Sequence, residues 1–186
     1  MQAVLLAMFF QVLYIRLRFA DYRHGFAAVC ALVHDTVIAL AFVAFFDASG
    51  LVYAKINLVL IAAFLTLIGY SMNDTIVVFD RIRENLGKGR LVLTGVVNDS
   101  INQTLTRSIR TSLTTWVVVV ILFAVNWHSG SELEGFAFVM VIGVITGTYS
   151  SIFIAAPLLL FLPVFWKKFA ANQTVAWVRV IASLVA

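Results

Sequence analysis

Charge is scarce in this sequence. Only 12% of its 186 residues are Asp, Glu, Lys or Arg, against 62% hydrophobic, and the mean hydropathy is +1.02. Soluble domains carry about 25% charged and roughly 45–50% apolar residues, so a water-solvated globule is excluded and lipid is the solvent. Proline is nearly missing as well, and its two residues leave the apolar runs almost uninterrupted. A single cysteine, Cys30, excludes a disulfide framework; inside an apolar run it reads as an inert small residue. CxxC, HExxH, Walker and GxGxxG patterns are absent, so no metal and no cofactor is expected. The formal charge of +4 comes without a basic–aromatic groove, and no nucleic acid is expected as a partner.

What is there is a series of long apolar runs, at about 3–19, 24–46, 56–80, 106–127 and 135–166. Each is long enough to cross a hydrocarbon core about 30 Å thick. The β-branched "WVVVVILF" suggests a strand, but a lone strand leaves its backbone polar groups unsatisfied in lipid. The expected fold is therefore all-α, a polytopic membrane bundle of about five spanning helices over residues 1–168. Residues 169–186 form a cytosolic or interfacial tail, with Trp177 and Arg179 as anchors. The opening run lacks a basic n-region and a cleavage site, which argues against a signal peptide.

Orientation follows from alternating loops. Arg16, Arg18 and Arg23 lie between the first two runs; Arg81, Arg83, Lys88, Arg90, Arg107 and Arg110 lie around the third connection; Lys167 and Lys168 follow the last. The other connections hold Asp47 with Lys55, and Glu132 with Glu134. The positive-inside rule then places the first end outside and the C-terminus in the cytosol.

Ionisable residues within spans are costly and are functional candidates by default. Asp35, beside His34, is expected roughly 16 Å from the outer end of its span, and Asp74 roughly 27 Å down the next. Arg107 enters the following antiparallel span from the inside, where an opposed carboxylate and guanidinium offset each other's desolvation. Asn73 adjoins Asp74; Thr111 and Thr115 share the Arg107 face; Ser150 sits in a hydroxyl-rich stretch of the last span. Gly143 and Gly147 form a GxxxG packing motif, and Gly69 precedes Asn73 at the same spacing. Arg110 reads as snorkelling and Asp80 as part of an interfacial charge cluster. An intramembrane protease is disfavoured, because "GTYSSI" is not the nucleophile elbow and no histidine lies on the span that would face it.

These residues resemble a known family. "GYSMNDTIVVFDRIREN" (69–85), "INQTLTRSIRTSLTTWVVVV" (101–120), "GFAFVMVIGVITGTYSSIFIAAPLLL" (135–160) and "VHDTVIAL" (33–40) are similar to the SecF type of the SecD/SecF protein-export family, across nearly residues 1–165. The resemblance implies an RND-like half of a membrane domain. It implies a non-enzymatic accessory subunit that couples the proton-motive force to protein export across the bacterial inner membrane. Protons are then the coupling ion, Asp74 and Arg107 serve the relay, and Asp35 matches the family's HD pair. SecD, the SecYEG channel, YidC, the exported polypeptide and membrane lipid are the implied partners. The family's first helix and exported domain have no counterpart here, and the chain reads as a fragment or as a split or shortened gene product. Two other readings stay open: a scaffold for SecD and the channel that carries no protons, and a component of small-molecule RND efflux.

Overall fold

The computed structural model describes residues 22–87 and 93–161, together with Leu6, Phe9, Phe10, Leu13 and Tyr14, which are helical. The rest of the expected first span (3–19), Lys167, Lys168 and the tail at 169–186 lie outside the described residues. The main elements are α1 (Tyr22–Ala48), α2 (Leu58–Gly87), α3 (Leu93–Asn126) and α4 (Glu132–Ser150). A π-helical turn, Ser151–Ala155, continues α4, and the helix runs on to Phe161. No strand occurs among the described residues.

Two helices exceed the apolar runs that announce them. α3 starts at Leu93 rather than near 106, and α2 runs to Gly87 rather than 80. The added turns are polar, so hydropathy misses them, and side-chain bonds between the two helices hold them. Asn85 Nδ2 donates to Ser100 Oγ at 2.8 Å, and Arg81 Nε donates to Gln103 Oε1. At about 1.5 Å per residue α3 is roughly 50 Å long, well beyond an apolar core of about 30 Å. Its Leu93 end therefore projects past the lipid.

α4 is the hub, packing against α1, α2 and α3. Glycine allows the closest approach. A Cβ on Gly147 would sit 3.0 Å from Ser71 Cβ and 3.2 Å from Ser71 Cα, and one on Gly143 would collide with Leu67. Gly69 behaves otherwise: it is exposed, and a Cβ there meets nothing within 4 Å. The expected packing role of Gly69 is thus not met among the described residues, where its face of α2 has no neighbour.

The interior falls into three layers. One apolar cluster, with Ala28, Leu32, Phe79, Ile82 and Leu159, fills the end near Asn85. A second, with Val43, Leu60, Leu67, Phe138 and Val144, fills the end near Tyr53. Between them lies a buried polar layer that includes Asp35, Ser71, Asp74, Ser112 and Ser150. Outward faces carry Phe45, Val118, Val125 and Phe153, all strongly exposed, as lipid-facing surfaces require.

The Tyr53 end is held by a carboxylate that sequence reading places in a connection. Glu134 belongs to the first turn of α4 and is 1% exposed. Its Oε1 accepts from Tyr53 N and its Oε2 from Gly130 N, both at 3.2 Å. One side chain thereby ties the 49–57 connection to the 127–131 connection. Asp47 Oδ1 adds a bond from Ala54 N at 3.1 Å.

The two classes of glycine should separate in unfolding measurements on the detergent-solubilised chain. Gly147→Val forces overpacking against Ser71 and should cost about 1–3 kcal/mol. Gly69→Ala should be neutral or stabilising by up to about 1 kcal/mol, since alanine is the better helix former and has room.

Candidate functional site

The polar layer is built around two carboxylates. Asp35, on α1, is 1% exposed and accepts from Ser71 Oγ of α2 at 2.5 Å and from Ser150 Oγ of α4 at 2.7 Å. His34 Nδ1 lies 3.2 Å from its other oxygen. The His34 ring is partly exposed and stands 6.4 Å from the Tyr149 ring, so it forms the peripheral edge of this group. Three helices thus converge on one carboxylate.

Asp74, one turn along α2 from Ser71, is 7% exposed. Ser112 Oγ of α3 reaches its Oδ2 at 3.4 Å, and Ser108 lies near the same carboxylate without a hydrogen bond to it within 3.5 Å. Ser112 in turn accepts from Thr148 Oγ1 of α4 at 2.6 Å. A further link between α2 and α4 joins Thr75 Oγ1 and Ser151 Oγ at 2.9 Å. The two carboxylate groups are therefore contiguous. The depth difference expected from the spans, roughly 11 Å, contracts to about 4.5 Å of helical rise between Ser71 and Asp74. The helix ends account for the change, because α1 runs on to Ala48 rather than 46 and α2 begins at Leu58 rather than 56.

Arg107 does not pair with Asp74. No ion pair within 4 Å joins them, although the guanidinium charge bears on Asp74 from further off. Arg107 is exposed and lines a cleft of about 300 Å³ with Asp80, Arg81, Glu84, Gln103 and Thr104. The antiparallel register explains this, because Ser112, not Arg107, comes level with Asp74. Asp80, expected as an interfacial charge, is with Glu84 one of two acidic residues that share Arg107's cleft.

Other expected residues fall away from the layer. Asn73 is exposed on α2. Thr111 donates to the Arg107 carbonyl at 3.0 Å and Thr115 to the Thr111 carbonyl at 3.1 Å, so both bond along their own helix. The inward hydroxyl stripe of α3 is instead Ser100, Thr104, Ser108 and Ser112, all buried. Its strict four-residue spacing was readable in the sequence. Thr111 and Thr115, which follow Arg107, form the neighbouring stripe. Ser150 lies at the site, and Gly143 and Gly147 pack α4 onto α2 beside it.

The chemistry of the layer follows from its donors. Hydroxyls donate to a carboxylate and accept from a carboxylic acid, so this shell can hold either protonation state by rotating O–H bonds. An arginine partner serves the charged form alone. No group of three or more metal-ligating side chains occurs among the described residues.

A bundle of apolar helices with carboxylates held at its centre by hydroxyls is the construction of a multi-pass membrane protein of RND-like fold. Residues 1–164 match the family of the protein export membrane protein SecD/SecF, C-terminal. The chain belongs to that family. It is 45% identical over 159 residues to the protein translocase subunit SecF of Petrotoga mobilis, covering 85% of this chain and 49% of that one. To the same subunit of Desulfurispirillum indicum it is 47% identical over 169 residues, covering 89% and 49%. The chain thus spans about half the length of these relatives. The crystal structure of SecDF, a translocon-associated membrane protein from Thermus thermophilus, superposes with a TM-score of 0.71 at 40% identity, over 84% of this chain and 20% of that one.

Substitutions should rank by this geometry. Ser150→Ala leaves Asp35 one donor short and should cost about 1–3 kcal/mol in detergent unfolding. Thr111→Ala and Thr115→Ala remove only local helix bonds and should stay within about 0.5 kcal/mol.

Proposed function

We propose that the chain is the membrane half of a SecF-type subunit that couples proton entry to protein export, with Asp74 and Asp35 as its proton sites. The observation that carries this reading is the polar layer itself: two buried carboxylates, each served by hydroxyls, and neither ion-paired to Lys or Arg among the described residues. A layer meant only to fix helix register has no need of partners that suit both protonation states.

In this mechanism a proton arriving at Asp74 reverses the bond from Ser112, and the Ser112–Thr148 link to α4 rearranges. A proton at Asp35 does the same to the Ser150 bond. Both events act on α4, and two arrangements of α4 need differ by only a few kcal/mol to be exchanged. A membrane potential supplies about 2.3 kcal/mol per charge for each 100 mV, enough to bias such a pair. Arg107 acts through its longer-range charge, beside Asp80 in the adjoining cleft.

The subunit works without chemistry on its cargo. SecD and the SecYEG channel are its partners, with YidC and the exported polypeptide in the same assembly. It sits in the bacterial inner membrane, with the Tyr53 end outside and the Asn85 end in the cytosol, as the basic residues of the 81–110 region direct.

Asp74→Asn in the full-length subunit should abolish the proton-dependent stimulation of export while leaving the protein inserted. This is read as secretion of a reporter with and without an uncoupler. Undiminished stimulation in that variant rejects the proton-site reading in favour of a scaffold.

A further inference from the structure

Asp74 lies on the seam between α2 and α3, and contacts fix the register of that seam. Asn85 meets Ser100, Arg81 meets Gln103, and Asp74 meets Ser112. Each turn toward the Tyr53 end on α2 is therefore matched by a turn in the opposite chain direction on α3. One turn beyond Asp74 and Ser112, Tyr70 comes level with Trp116. Both pack against the apolar cluster of that end.

Each buries a polar atom that has no hydrogen-bond partner among the described residues: Tyr70 Oη and Trp116 Nε1. Such atoms are rare in folded proteins because leaving them unpaired is costly, and the usual resolution is an ordered water. Phenylalanine would fill either place without that cost. The hydroxyl both donates and accepts, while the indole only donates, so water placed between them has directional partners. Trp116 also lines a cleft of about 390 Å³ between α3 and α4, together with Ser112 and Thr148, the hydroxyls that serve Asp74. The cleft walls are otherwise largely apolar side chains, including Leu105, Ile109 and Phe153. Apolar walls hold no water, so the water belongs behind them, at the buried polar atoms of Tyr70 and Trp116.

We propose that Tyr70 and Trp116 hold the water through which protons reach Asp74 from the Tyr53 end of the bundle. They are positioning residues that act through bound water, and the proposal rests on Asp74 being a proton site. The proton passes along hydrogen-bonded water to a carboxylate oxygen, and the charged groups bearing on that step are Asp74 and the more distant Arg107.

The test is infrared difference spectroscopy on the intact subunit assembly in lipid, following the protonated carboxyl C=O band that Asp74→Asn removes. Its shift on switching to heavy water reports proton access. Tyr70→Phe, which keeps the ring and its packing, should preserve the band and slow the shift by about tenfold, the effect of losing one bridging hydrogen bond. Trp116→Phe should slow it independently, and the double variant more than either. An unchanged exchange rate in Tyr70→Phe overturns the proposal while leaving Asp74 a proton site. A parent assembly with no band sensitive to Asp74→Asn overturns the proton-site reading, and this inference with it.

Discussion

The structure depends on the bond pair that Asp35 receives from Ser71 and Ser150. Lipid offers no water, so a polar group in the hydrocarbon must find its partners inside the protein. One carboxylate on α1 therefore dictates a hydroxyl on α2 and another on α4 at the same depth. The rest of the packing serves that alignment. Gly147 has no side chain because Ser71 must come within bonding reach of Asp35 while α4 lies against it. Apolar clusters flank the layer on both sides. Removing water from around these bonds strengthens them and also makes each unmade one costly.

α4 meets this demand through three nearby residues. Thr148 faces α3 through Ser112, Ser150 faces α1 through Asp35, and Ser151 faces α2 through Thr75. A regular helix turns about 100° per residue, so residues this close in sequence point to different neighbours. The π turn begins at Ser151, where the Ser150 and Ser151 hydroxyls and the Ser151 amide all converge on the Gly147 carbonyl. Widened turns of this kind recur at functional sites. Here the turn falls where the helix changes from bonding polar partners to filling the apolar cluster around Ala155 and Leu159.

Much of this was legible in the sequence, for reasons that are physical. Long apolar runs in a lipid-soluble composition left helix as the sole element for each span. Carboxylates within those runs marked the interior, because lipid would otherwise reject them. The inward hydroxyls of α3 were visible as well, in the spacing of Ser100, Thr104, Ser108 and Ser112. What the sequence did not hold was the register between helices. Asp74 was expected opposite Arg107, but which residues come level depends on the connections and on the polar turns that extend α2 and α3. The same ignorance hid Glu134, whose value lies in two backbone amides more than one connection apart. Gly69 and Asn73 misled for another reason: both are exposed, and their face of α2 has no described neighbour to define a role.

The placement of Arg107 bears on how a carboxylate layer could transmit force. An arginine in contact with Asp74 would fix the carboxylate in its charged form, and release would require breaking a buried ion pair, a step that leaves one charge uncompensated at high cost. Held one step away, the guanidinium still senses the charge on Asp74 without clamping it. It shares its cleft with Asp80, Arg81 and Glu84, the last two paired with each other at 2.6 Å. Under the proposed proton coupling, a change of charge at Asp74 alters the electrostatic balance of that cleft and the hydroxyl links to α4 together. The charge moves little, while the helices that read it lie on both sides of the seam. In that proposed mechanism the hydroxyl shell is what makes both protonation states tolerable, because a hydroxyl donates to a carboxylate and accepts from a carboxylic acid.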